Sequence, residues 1–187
     1  MSKSLAGVLV FLCAAAASAH ITPNVQLVNR GEFLKENLPG AEHYFEKQLM
    51  LSGAAGAAIR QATGWSPTAE DTRMYVGRDG KGALVGSVVF LWIASEHGPV
   101  GVAVAFDPSG TIRRAAVTDV GSEPLAWVRP LIDAGGLQAF VGLGPGEEPN
   151  PSRVAPAVTA TMSRYYAQVL AQSVSRAQQV ERASTEE

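Results

Sequence analysis

Apolar residues crowd most densely between Arg73 and Val120, and there they alternate or run unbroken instead of recurring at helical spacing. Three turn signals interrupt the stretch: Asp79-Gly80-Lys81-Gly82, His97-Gly98-Pro99 and Asp107-Pro108-Ser109-Gly110. Glycine supplies positive φ, proline fixes φ near the turn value, and aspartate bonds the backbone ahead of it. The runs between the turns are rich in Val, Ile, Phe, Trp and Tyr, which suit a pleated surface. Short loops join antiparallel neighbours, so the pattern predicts a meander of about four strands. Leu84 to Ala94 is apolar on both alternating sets, as in a strand covered on both faces. Val88, Phe90 and Trp92 are expected to be buried on one side, and Val89, Leu91 and Ile93 on the other.

The flanking segments carry helical patterns. His20 to Arg30 is polar and reads as an irregular lead-in. Gly31 to Leu38 predicts a short helix stopped by Pro39-Gly40, and Ala41 to Leu51 continues at roughly helical spacing through Tyr44, Phe45, Gln48 and Leu49. Ser52 heads a further helix, Gly53 to Ala62, closed by Thr63-Gly64. After the sheet, Gly121 to Ala134 reads as a helix with Pro124 in its first turn. Its apolar face is Leu125, Val128, Leu131 and Ile132, and Pro130 is a break. Leu143 to Ser152 is a Gly- and Pro-rich surface loop. Val154, Val158, Met162, Tyr165 and Val169 form an apolar stripe on a last helix, starting near Ala155 and reaching at least Val174. Arg176 to Glu187 is a polar tail expected to fray. The fold class is α+β: a twisted antiparallel sheet with helices packed around it, in one domain over residues 20–175.

Composition changes this picture in three ways. At 187 residues, 47% of them hydrophobic, the chain can bury the core of one domain. The formal charge of -2 offers no basic field for nucleic acid. Met1 to Ala19 has the form of an export signal, with Lys3, an apolar centre from Leu5 to Leu12, and a small-residue cleavage site at Ala17-Ser18-Ala19. That apolar run is short of the roughly 20 residues a spanning helix needs. The expected mature chain starts at His20 and is periplasmic or otherwise extracytoplasmic. The single cysteine, Cys13, lies inside the signal, so the mature chain would use no thiol, disulfide or cysteine-bound cluster.

Familiar catalytic patterns are missing from the sequence: it has no GxSxG, no Walker loop and no HExxH, and its histidines do not stand at metal-ligand spacing. Asp119 and Glu123 read as solvated charges at a strand end. His97, in a tight turn, reads as a structural residue bonding its local backbone. The remaining chemical candidates are the hydroxyls of Thr159, Thr161 and Ser163, at the start of the last helix.

Three segments then stand in a telling order: Glu96-His97-Gly98-Pro99-Val100, Phe106 to Ile112 (FDPSGTI), and Leu137 to Gly142 (LQAFVG). With the helices around them, they resemble the FMN-binding domain of subunits in sodium-pumping NADH:quinone oxidoreductases, related ferredoxin-oxidising complexes and exported electron carriers. The resemblance spans about Gly31 to Val174. Members of that family often carry FMN through its phosphate on the threonine of a D-x-x-S/T-G-A-T motif. If the motif glycine is missing here, Thr159 matches its S/T, Ala160-Thr161 its A-T, and Ser163 the hydroxyl that follows; without a gap, Thr159 becomes the acceptor. The leading aspartate and the glycine are absent, which argues against enzymatic attachment, and the residues leave room for non-covalent binding. A helix starting near Ala155 would offer free N–H groups and a positive dipole end to a phosphate. Trp127, Phe140 and Leu137 would help to form an apolar slot for the ring.

The resemblance thus implies an exported FMN-binding electron-transfer protein, an electron carrier more than a substrate-transforming enzyme. Its partners would be a redox protein or a membrane electron-transport complex. Its expected cofactor residues are Thr161 first, then Thr159, with Ser163, Ala160, Trp127 and Phe140. The alternative is a cofactor-less structural or assembly subunit of a membrane-associated redox complex.

Overall fold

The apolar runs assemble into one antiparallel sheet in a computed structural model that describes residues 23–47, 49, 53–68, 70–154 and 159–185. The expected signal, Met1 to Ala19, and its cleavage site lie outside the described residues. The strands are β1 (Asn24–Gln26), β2 (His43–Lys47), β3 (Thr72–Arg78), β4 (Leu84–Ser95), β5 (Gly98–Phe106) and β6 (Ile112–Gly121). They lie in the order β1-β6-β5-β4-β3-β2, every neighbour antiparallel. The helices are α1 (Arg30–Asn37), α2 (Gly53–Thr63), α3 (Ser122–Asp133) and α4 (Thr161–Thr185). This is the expected α+β architecture, with the meander β3 to β6 formed at the three turns. Asp107 shows why such turns form: its Oδ1 accepts from the N–H groups of Ser109 at 2.8 Å and Thr111 at 3.0 Å, while Gly110 takes φ +80°.

The sheet is longer than expected by two edge strands. The expected helical continuation from Ala41 to Leu51 is a strand over its described part, where His43 to Lys47 pairs residue for residue with Arg78 to Met74; Gln48, Met50 and Leu51 lie outside the described residues. Backbone pairing to an open sheet edge outweighs a helical spacing that had no buried face to serve: Tyr44 and Phe45 stay exposed. The polar lead-in likewise supplies β1, whose Asn24 to Gln26 pair with Gly121 to Asp119. Three helix ends also differ. Pro130 does not break α3; it sits exposed in the final turns, where its missing N–H costs little more than one bond. The last helix starts at Thr161, and Val154 reaches the core from a preceding 3-10 turn (Pro151–Arg153). At its other end α4 runs on through the supposed tail to Thr185, with Ala177, Gln178, Val180, Glu181 and Ser184 buried.

The two faces of β4 meet different layers. Val89, Leu91 and Ile93 join Val100, Val102, Val104 and Phe106 beneath α2, α3 and α4, where Ile59, Val128, Leu131, Tyr166, Leu170 and Val174 close the main core. Val88 and Phe90 face the other way, into a smaller core with Phe33 and Leu38 under α1. Asn29 caps α1 by accepting from the N–H groups of Gly31 and Glu32. Trp92 is only half-buried; its ring lies at the margin of this layer beneath the Arg30 guanidinium, 5.4 Å from the ring centre. No helix among the described residues is long and apolar enough to cross a membrane.

Candidate functional site

The last helix sets the geometry of the candidate residues. Arg164 N–H donates to the Ala160 carbonyl at 3.0 Å, the first bond of α4. The N–H groups of Thr161, Met162 and Ser163 therefore precede the helical ladder and bond no carbonyl within α4. Thr159, Ala160 and Thr161 are all exposed, whereas Ser163 is buried. The positive end of a 25-residue helix thus opens to solvent beside two hydroxyls, a setting that favours an anion. Arg164, exposed in the same first turn, adds a positive charge.

One turn further along, about 5.4 Å of helix rise, an aromatic cluster begins. Trp127 of α3 stacks on Tyr166 with centroids 6.0 Å apart and planes 12° from parallel. Tyr165 meets Tyr166 edge-on at 5.1 Å, and His97 lies 5.0 Å from Trp127. Tyr166 is sealed in the core, and Trp127, Tyr165 and His97 are half-buried. Ser95 fixes the cluster from beneath. Its hydroxyl proton goes to the Gly98 carbonyl at 2.5 Å, so the Tyr166 hydroxyl, 3.0 Å away, donates to Ser95. Burial pushes the Tyr166 phenol above its ordinary pKa and keeps it a donor.

Of the six expected cofactor residues, the fold gathers five at this end of the molecule: Thr159, Ala160, Thr161 and Ser163 at the helix start and Trp127 one turn along. Phe140 is a correction. It ends a 3-10 turn (Gly136–Phe140) with no exposed surface, inside the main core, and Leu137 is buried there too. Phe140 exposes no surface to a ligand, and Leu137 lines a different cleft, beside Val28, Arg114 and Ile132, that includes none of the residues at the start of α4. The charge pairings differ as well. Asp119 is not a solvated charge, being buried and holding Arg30 at 3.3 Å, whereas Glu123 is exposed and holds His97 Nδ1 at 3.1 Å. His97 thereby bonds a side chain from α3 instead of its own turn. Sequence reading missed Tyr166, whose one usable signal is its place four residues after Met162 on the inward stripe. The partnership of Ser95 with Tyr166 joins residues 71 positions apart and has no local signature.

Among the described residues, no group of His, Cys, Asp or Glu could hold a metal ion. Compared with family models, curated proteins and solved structures, the chain matches none of them.

Proposed function

We propose that this chain is an exported electron-transfer protein that binds FMN at the N-terminal end of α4. The observation that carries the reading is that the exposed Thr161 at the start of α4 stands five residues, roughly 7.5 Å of helix rise, before Tyr166, whose buried ring stacks on the half-buried Trp127. The first suits a phosphate. The second, with Tyr165 and His97 beside it, offers a flat apolar surface to a ring system. When bound, FMN would supply the redox chemistry; the chain's residues bind, orient and shield it. Thr161 and then Thr159 would hold the phosphate, Arg164 would balance its charge, and the buried Ser163 would help to keep the first turn in place. Trp127 would support the ring while Ser95, through Tyr166, holds Trp127 still.

Absorbance and mass spectrometry of the purified chain, native and denatured, test the proposal. The expected result is one flavin per chain, released on denaturation, with Thr161→Ala weakening binding several-fold, or about 1 kcal/mol. A flavin that survives denaturation would add one FMN less water to the mass, and Thr161→Ala should then abolish the addition. Colourless protein that takes up no added FMN would refute the flavin reading. The missing aspartate and glycine would then support a structural or assembly subunit of a redox complex. N-terminal sequencing from the host tests export, with His-Ile-Thr-Pro as the expected start.

A further inference from the structure

A cleft lies at the far end of α4, and it has the makings of a ligand site. Thr161 and Glu181 are separated by 20 residues of continuous helix, roughly 30 Å at 1.5 Å per residue, so this cleft is independent of the flavin reading. Its floor is the corner of the sheet where β2, β3 and β4 run side by side, and its opposite wall is the last two turns of α4, through Glu181 and Ser184. The space measures about 420 Å³, within the range of small-molecule sites. Two of the four large hydrophobic residues found exposed, Phe45 and Leu84, stand at this cleft.

The polar groups inside point to the ligand's chemistry. Phe45, Val76 and Ser87 lie in register across the three strands. Ser87 is 3% exposed, and its Oγ has no hydrogen-bond partner. Its cross-strand neighbours on either side, Val76 and Phe106, have nothing to offer it. Buried hydroxyls are normally bonded, so an unbonded one in the wall of an apolar cleft marks a place for a ligand atom. The other polar groups are mainly donors. Arg78 gives one N–H to the Gly82 carbonyl at 2.7 Å and forms no ion pair among the described residues. Lys47 donates to the Ser184 carbonyl and faces Glu181, whose charge it offsets. The net excess is one cation and one hydroxyl at the edge of an apolar trough. That arrangement complements a carboxylate on a hydrocarbon.

We propose that this cleft binds a small amphipathic monocarboxylate, its carboxylate meeting Arg78 and the Ser87 hydroxyl and its hydrocarbon body lying along Phe45, Val76 and Leu84. The test is isothermal titration of the full-length chain with butanoate, decanoate and 1-decanol. One decanoate should bind per chain. Butanoate, with six fewer methylenes to bury, should bind at least about a hundredfold more weakly, and 1-decanol about tenfold more weakly for want of the charge. Arg78→Gln, on an exposed side chain, should weaken decanoate about tenfold, and Leu84→Trp should block the mouth and abolish binding. Ser87→Ala should weaken decanoate several-fold yet leave the ligand-free protein at least as stable, because the unbonded hydroxyl is gone. A hydroxyl with a purely structural role would show the opposite pair of effects. The proposal is overturned by no binding at any chain length, by equal affinity for 1-decanol, or by decanoate binding that ignores both Arg78→Gln and Leu84→Trp.

Discussion

Phe90→Ala is the sharpest probe of this fold, because Phe90 holds the smaller core together. Its ring is 3% exposed and stands between Phe33, edge-on at 6.2 Å, and Tyr75, edge-on at 5.8 Å, with the Arg30 guanidinium 5.6 Å above. Truncating a buried phenylalanine costs about 3–5 kcal/mol in lost transfer energy and residual cavity. Two edge-to-face partners, each worth about 0.5–1.5 kcal/mol, argue for the upper half of that range. The neighbours offer little collapse to offset it, since Val88, Ala103 and Ala105 are fixed on the sheet and Phe33 is fixed on the capped α1. Urea unfolding should therefore show a midpoint loss equivalent to about 4 kcal/mol with an unchanged slope, a large part of the roughly 5–15 kcal/mol a domain possesses. A double-mutant cycle with Phe33→Ala should return a coupling of about 0.5–1.5 kcal/mol. A loss under about 1 kcal/mol, the range of surface changes, would refute the idea that α1 and β4 share a packed core.

Three further outcomes are expected. Gly136→Ala would put a Cβ 2.5 Å from the Val154 carbonyl oxygen and 2.8 Å from that of Leu131, so it should cost about 1–3 kcal/mol in thermal unfolding; an unchanged melting temperature would contradict the packing of the 3-10 turn. Arg30→Ala strands the buried Asp119 carboxylate and uncovers Phe90 and Trp92, for a loss of about 1–3 kcal/mol that Asp119→Asn should partly rescue. Burial raises the Glu181 carboxyl above its ordinary 4.5, Lys47 pulling it back in part and Asp107 pushing it up further. The folded chain thus holds this proton more tightly than the unfolded chain, and the stability it contributes is full below about pH 4.5 and fades as pH rises through the folded value. Glu181→Gln should accordingly gain on the parent protein near neutral pH and lose that advantage in acid; urea midpoints showing a constant gap across the range would contradict it.

Local pattern alone was enough for the centre of this protein. The doubly apolar run from Val88 to Ile93, the turn residues at Asp79, His97 and Asp107, and the part of the expected stripe on α4, Met162, Tyr165 and Val169, each follow from neighbours within a few positions; Val158 lies outside the described residues. Strand period, turn chemistry and helix period are local properties of the chain. The hydroxyls at the start of α4 were legible for the same reason, since a helix N-terminus is written in adjacent residues. Tertiary structure decided the rest. His43 to Lys47 became a strand because β3 presented an open edge, and Arg176 to Thr185 stayed helical because the sheet lay beneath it to bury Ala177 and Val180. Phe140 was sealed in the core while Trp127 was left half-open, although both are aromatic residues flanked by apolar patterns. The unbonded Ser87 hydroxyl and the pairings of Asp119 with Arg30 and Ser95 with Tyr166 likewise depend on which surfaces come together. Spacing along a chain fixes the direction of a side chain relative to its own element; what it meets there is set by segments tens of residues away.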